Sequence, residues 1–189
     1  MDRVLVVIFG LMGVGKTTVA QALGQARGWP VIHSDTVRKA LAGLSPTTPA
    51  RYGFGQGIYS EDFSRRTYAE MRRQARELLA RGVSGVILDG SYKSARERAQ
   101  VRELARDQAA AAVFVYCQCP REVVRARLLK RQENRRAISD GRLELLDLQA
   151  EDFEPPSEAD QPLLRLDTGG NLEQALGEIK QFLEGLGIA

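Results

Sequence analysis

Short, uninterrupted apolar runs rich in β-branched residues alternate with longer stretches whose apolar residues recur every three to four positions. The first pattern predicts strands at about 3–9, 30–33, 84–88, 112–117 and 163–166. The second predicts helices at about 16–27, 36–42, 61–81, 94–107, 120–133, 141–152 and 171–185. Strands apolar on both faces, each followed by a helix, argue for a parallel sheet covered on both sides. Cap signals support several helix starts. Ser94 with Glu97 forms a capping box, Asn171 with Gln174 resembles one, and Pro120 suits a first helical turn. The stripe Leu172, Ala175, Leu176, Ile179, Phe182, Leu183 and Leu186 marks the last helix as core packing. Two segments break the alternation. Residues 43–60 carry Pro46, Pro49, Gly53, Gly55 and Gly57 and read as a loop, while 134–141 read as the turn of a lid.

Composition narrows the classes. The chain of 189 residues reads as one domain over 1–189, and no apolar run has the length to cross a bilayer. No signal-peptide pattern stands at Met1 to Arg3. Cys117 and Cys119 are too close for an unstrained disulfide, and one histidine leaves no zinc set. Reduced thiols in a cytoplasmic setting are expected. The net charge of +3 conceals a polarity: residues 1–142 hold 25 basic and 13 acidic side chains, residues 143–189 hold 2 and 11. Such a basic body suits a polyanionic ligand, although part of the excess is solvated helix surface.

The candidate chemistry begins at Gly10 to Thr17, GLMGVGKT, the pattern of a phosphate-binding loop between a strand and a helix. Backbone amides of Gly10, Leu11, Met12, Gly13, Val14, Gly15, Lys16, Thr17 and Thr18 would ring a triphosphate at the positive end of a helix dipole. Lys16 would reach the β- and γ-phosphates, and the Thr17 hydroxyl would ligate Mg²⁺. The second strand ends in His33–Ser34–Asp35, with Arg38 one helical turn on. A carboxylate just past a strand end faces the ligand crevice, so Asp35 is the candidate base toward an acceptor hydroxyl. Arg38 would hold the acceptor, whereas the plainer role for Ser34 or Asp35 is helix capping. His33 reads as strand-end packing. Asp89, directly after the third strand, is the expected acidic partner for Mg²⁺. The run Arg121 to Arg142 is strongly basic, and Arg127 and Arg131 share a helical face. These two are the candidate catalytic arginines that would stabilise charge on the departing phosphoryl group.

With GLMGVGKTT, SDTVRKAL, VILDGSY, RARLLKR and SDGR in this order, the chain resembles small P-loop kinases. That family includes polynucleotide 5′-kinases, chloramphenicol phosphotransferase and zeta toxins. The likeness is greatest to a kinase module often found behind an aminoglycoside-phosphotransferase-like domain, where an SDxxR segment and a Glu–Pro–Pro also occur. Here these are residues 34–38 and Glu154–Pro155–Pro156, and the 189 residues read as the kinase module without the second domain, so the relatives' substrate is not expected to carry over. The resemblance implies a P-loop NTPase three-layer α/β sandwich. Its five-stranded parallel sheet would have order 2-3-1-4-5, with an Arg-rich lid at about 120–142. It also implies ATP and Mg²⁺ as cofactors, Asp35 as base, Arg38 at the acceptor, and lid arginines on phosphates. Arg51, Tyr52 and Tyr59, in loop 43–60, are the candidate lining of the acceptor site. The leading expectation is therefore an ATP-dependent kinase acting on a small hydroxyl compound. A polynucleotide 5′-hydroxyl kinase is the alternative, using Arg65, Arg66, Arg72, Arg73 and Arg76 as a channel but lacking interleaved aromatics. A nucleotide switch acting on a protein partner is the alternative from another class.

Overall fold

The computed structural model describes residues 3–45, 56–133 and 141–188, with side chains for all of these except 131–133 and 141–144. Five parallel strands form one sheet: β1 Val4–Phe9, β2 Val31–His33, β3 Gly85–Asp89, β4 Ala111–Gln118 and β5 Leu163–Asp167. Their order across the sheet is β2-β3-β1-β4-β5, as the resemblance implied. Helices α1 Lys16–Arg27, α2 Ser34–Leu41, α3 Glu61–Ala80, α4 Ala95–Asp107, α5 Arg121–Glu133, α6 Gly141–Glu151 and α7 Leu172–Gly185 fill the connections. Each observed bound lies within two residues of its sequence expectation. The largest shift is at α2, which starts at Ser34 and so takes Asp35 into its first turn.

The uninterrupted apolar run of β1 has a direct physical cause. All six residues are buried, and alternate side chains enter opposite cores. Val4, Val6 and Ile8 pack with Val19, Leu23, Ile179 and Leu183 from α1 and α7. Leu5, Val7 and Phe9 pack with Tyr68, Met71, Val101 and Leu104 from α3 and α4. Each fully buried aliphatic side chain here contributes about 1.5–3 kcal/mol over an exposed one. Packing on both faces fixes the sheet centre, and with it the C-terminal strand ends from which the site loops depart. Caps fix where the helices begin: Ser60 Oγ accepts from Phe63 N, Ser94 Oγ from Glu97 N, and Asn171 Oδ1 from Glu173 N. At α2, neither Ser34 nor Asp35 caps. His33 occupies the cap position, and its side chain makes no capping bond to the helix.

The segment expected as loop 43–60 ends in a 3-10 turn, Gly57–Tyr59. Residues 46–55, with Arg51 and Tyr52, and the 134–140 part of the expected lid turn lie outside the described residues, as does the Arg131 side chain. No helix among the described residues is long and apolar enough to cross a membrane.

Candidate functional site

Residues 10–15 turn tightly between β1 and α1, and two glycines explain why that turn is possible. Gly10 has φ +141°, and a Cβ there would stand 2.4 Å from the Cys117 carbonyl oxygen. Gly13 has φ +77°, with Val124 of α5 only 2.8 Å from where a Cβ would be. The loop can therefore lie close against β4 and α5. The first amides of α1 have no intrahelical acceptors, and no acidic side chain occupies the first turn to satisfy them. Lys16 curls back over the loop and donates from Nζ to Leu11 O at 2.6 Å. The Val14 carbonyl is clamped by the turn after β5 and by α5. It accepts from the Thr168 hydroxyl and from Arg127 Nη1 at 3.1 Å.

Asp89, the last residue of β3, is the convergence point. In parallel register it lies beside His33. Its Oδ2 accepts from Thr17 Oγ1 at 2.8 Å and lies 2.8 Å from His33 Nδ1. The residue is 4% exposed, and Oδ1 is buried with no hydrogen-bond partner. A buried carboxylate oxygen left unmatched costs roughly 1–3 kcal/mol or more. A hydroxyl and a carboxylate with a spare oxygen beside a phosphate loop form the hard, partial donor set that Mg²⁺ takes when phosphates and waters complete its shell. The residues present fit that ion. His33 was expected to pack at a strand end, but it is instead a direct partner of this carboxylate. Sequence holds the signal as two polar residues ending adjacent strands, legible only once strand order is known.

On the other side of the crevice, Asp35 Oδ2 pairs with Lys39 Nζ at 2.8 Å, and its Oδ1 accepts from Tyr59 Oη at 3.4 Å. Its side chain remains 58% exposed to the cavity. Arg38, the expected acceptor residue, lines this cavity too, and its guanidinium is engaged by the fold. Buried, it donates from Nη1 to Ile58 O at 2.5 Å and Ser64 Oγ at 3.1 Å, beneath the Tyr59 ring. Its role in the fold is to pin the 57–59 turn against α3, with Tyr59 presented toward Asp35. Deeper, Tyr68 Oη bonds Ser91 Oγ at 2.9 Å and accepts from Tyr92 N at 3.1 Å. Burial pushes the Tyr68 phenol up to about 12. Burial also lifts Glu97 to about 7, against the pull of the Ser94 amide and nearby Lys93, Arg38 and Arg72. Tyr92 itself sits at φ 40°, a strained conformation for a tyrosine, held by that phenol and by Arg98 Nη1 on its carbonyl at 2.8 Å.

Two cavities flank the phosphate loop and share Gly15. The larger, about 1210 Å³, brings Lys16, Thr17, Asp35, Tyr59 and Asp89 into one wall system. The smaller, about 340 Å³, lies between Thr18, Arg127, Lys130, Thr168, Gly170 and Leu172. Arg127 thus stands on the smaller-cavity side. Its guanidinium spans Val14 O and Thr168 O, the latter at 2.6 Å, so the expected placement at the departing phosphoryl does not match its contacts. The cause is the α5 register, which aims residue 127 at the turn after β5. Sequence reasoning missed Gln149 of α6, whose Oε1 accepts from Met12 N at 2.6 Å. Nothing in its local sequence signals a contact made across 137 positions.

The chain is similar to known proteins in sequence family and in fold. A family model described as "AAA domain" matches residues 5–156. An uncharacterised protein of Mycobacterium tuberculosis is 35% identical over 127 residues, 67% of this chain and 25% of its own length. The chain thus spans about a quarter of the curated relatives it matches. Among solved structures, a gluconokinase from Sinorhizobium meliloti superposes with a TM-score of 0.66 at 21% identity, covering 98% of this chain and 93% of that one. The APS kinase of Mycobacterium tuberculosis, solved with AMPPNP and APS, gives 0.65 at 19%, covering 97% and 98%. At such identities the likeness concerns the fold, which is that of P-loop kinases. With the family model matching most of its length, the chain belongs to the AAA-domain family of phosphate-loop proteins.

Proposed function

We propose that the protein is an ATP-dependent kinase that transfers the γ-phosphoryl group to a hydroxyl of a small-molecule acceptor. The observation that carries this reading is that Lys16, Thr17, Asp89 and Asp35 line one cavity. A nucleotide-binding loop alone needs no exposed carboxylate across the crevice. Phosphoryl transfer to an alcohol does, because the attacking oxygen must lose a proton. In this mechanism Asp35 orients the acceptor hydroxyl and accepts its proton as the new O–P bond forms and the bond to ADP breaks. Lys16 releases Leu11 O to meet the β- and γ-oxygens. Thr17 and Asp89 would hold Mg²⁺, which supplies charge neutralisation at the phosphates. His33 keeps Asp89 oriented through Nδ1. Tyr59 and Lys39 hold the Asp35 carboxylate in place.

The smaller cavity suits the nucleobase end of the nucleotide. Arg127 there supports Val14 and the turn after β5, which leaves Arg131 as the lid arginine assigned to phosphates. Arg51 and Tyr52 are assigned to the acceptor side by their position between α2 and the 57–59 turn. A small acceptor is favoured over a polynucleotide end by the pairing on α3. Arg65 bonds Glu61 and Asp62, and Arg73 bonds Glu70 and Glu77 of the same helix. Two of the five arginines named for a channel are thus matched by carboxylates of their own helix, which weakens the case for one.

The test is ADP release with Mg·ATP across a panel of hydroxyl compounds, together with calorimetry of nucleotide binding. Asp35→Asn should keep nucleotide affinity and lose transfer by about 10²-fold or more, while Lys16→Ala should weaken both. Undiminished transfer by Asp35→Asn removes the assigned base.

A further inference from the structure

The structure assigns a place in the phosphoryl-transfer site to Gln149: we propose that its carboxamide nitrogen donates to a non-bridging oxygen of the γ-phosphoryl group. This rests on the kinase reading above and adds a residue to it.

The first support is that α6 is firmly seated. Leu146 is buried in the core cluster that also holds Val14, Val124 and Leu128. Just past the helix, Phe153 stacks on Tyr116 at 5.6 Å and lies over Phe9 at 6.4 Å. Asp152 pairs with Lys93, Glu154 N donates to Lys93 O at 2.9 Å, and Glu154 Oε2 accepts from Ala95 N at 2.7 Å. The helix therefore presents Gln149 from a fixed position above the loop.

The second support is the direction of the carboxamide. Met12 offers an N–H, so only the Gln149 oxygen can face it, and the 2.6 Å contact fixes the group's polarity. Gln149 lines the larger cavity, and no hydrogen bond from its nitrogen, which carries two N–H donors, is present among the described residues. An uncharged double donor complements an anionic oxygen and cannot act as a competing metal ligand through that end.

The third support is position along the triphosphate. Gly15 and Thr18 border the smaller cavity, whereas Met12 and Gly13 border only the larger one, with Asp35. The residue-12 end of the loop is therefore the end away from the base and nearest the acceptor, where the γ-phosphoryl sits. A preorganised donor aimed at that group is the kind of contact whose loss costs about 10²–10³-fold in rate.

The experiment separates γ-phosphoryl recognition from general loop support. Calorimetry with Mg·ADP and Mg·AMPPNP is run on the wild type, Gln149→Leu and Gln149→Glu. Thermal melting of each variant confirms that it folds. Expected are ADP dissociation constants within about twofold of wild type, and AMPPNP weakened about tenfold or more, as loss of a hydrogen bond to a charged group implies. The glutamate variant, which keeps the oxygen for Met12 but brings an anion, should lose the most. Equal weakening of both nucleotides, or none of either, overturns the assignment and leaves Gln149 as a lid prop. If the wild type binds neither nucleotide, the kinase reading itself falls, and this inference with it.

Discussion

Asp160→Asn is the substitution whose effect the structure specifies most fully. Asp160 and Arg98 are both wholly buried, with Arg98 Nε 3.1 Å from Oδ2. Oδ1 takes a second charge, Arg102 Nη1 at 2.7 Å, and Oδ2 also accepts from Ser157 N at 3.0 Å. Asparagine has nearly the same volume, so packing is preserved and the change is electrostatic. It strands the Arg98 guanidinium in the core without a counter-charge. Removing one partner of a buried pair costs about 3–5 kcal/mol, a large share of a typical domain's roughly 5–15 kcal/mol. At about 2–4 °C per kcal/mol for a domain of this size, melting should fall by roughly 6–20 °C. Arg98 also holds the Tyr92 carbonyl, so nucleotide-free protein should show the effect without any ligand. The pH dependence has a definite sign. Burial raises the Asp160 pKa, but the Ser157 amide and the two arginines outweigh it and hold it below 3.8. The folded carboxyl thus binds its proton less readily than the unfolded one. Its stabilisation is present above pH 3.8 and is lost as pH falls through the depressed value. Denaturation curves of both proteins from pH 8 to pH 3 test this. A loss under about 1 kcal/mol at pH 7, or a gap between the proteins that does not narrow in acid, would refute the electrostatic account.

Two further outcomes are expected. Arg127→Ala removes donors from Val14 O and Thr168 O and should weaken ATP and ADP alike by about tenfold, with kcat changed much less; titration calorimetry beside steady-state kinetics checks it. Glu97→Gln should raise the melting temperature at pH 8. The wild-type carboxyl titrates near 7 when folded and near 4.5 when unfolded, so the folded state holds the extra proton and stability declines as pH rises between those values. A melting temperature whose pH slope is unchanged by the substitution counts against that burial effect.

How much of this was readable beforehand divides along physical lines. β1, the loop and α1 were legible because local rules act there: an apolar run, glycines where φ is positive, and a periodic helix. The location of Asp35 and Asp89 on the cavity wall was legible because strand ends of parallel sheets face the crevice, while their chemical roles remain proposals. His33 was misread because its partner sits on a strand 56 residues away. Arg38 and Arg127 were identified as site arginines by type and spacing. Neither spacing nor type shows which carbonyl a guanidinium will find, and both chose backbone oxygens. Gln149 was invisible because its contact depends on how α6 docks, and docking is set by Leu146 and Phe153, not by residues beside it.

The double grip on the Val14 carbonyl has a mechanical meaning. Thr168 and Arg127 tie the phosphate loop to the turn leading into the last helix, so in the proposed binding mode the two ends of the nucleotide would be sensed by one shared peptide group. Crowding on the base side would be transmitted as a tilt of the cradle. A compound wedged beside Leu172 should therefore disarm transfer without ever approaching the reacting phosphorus.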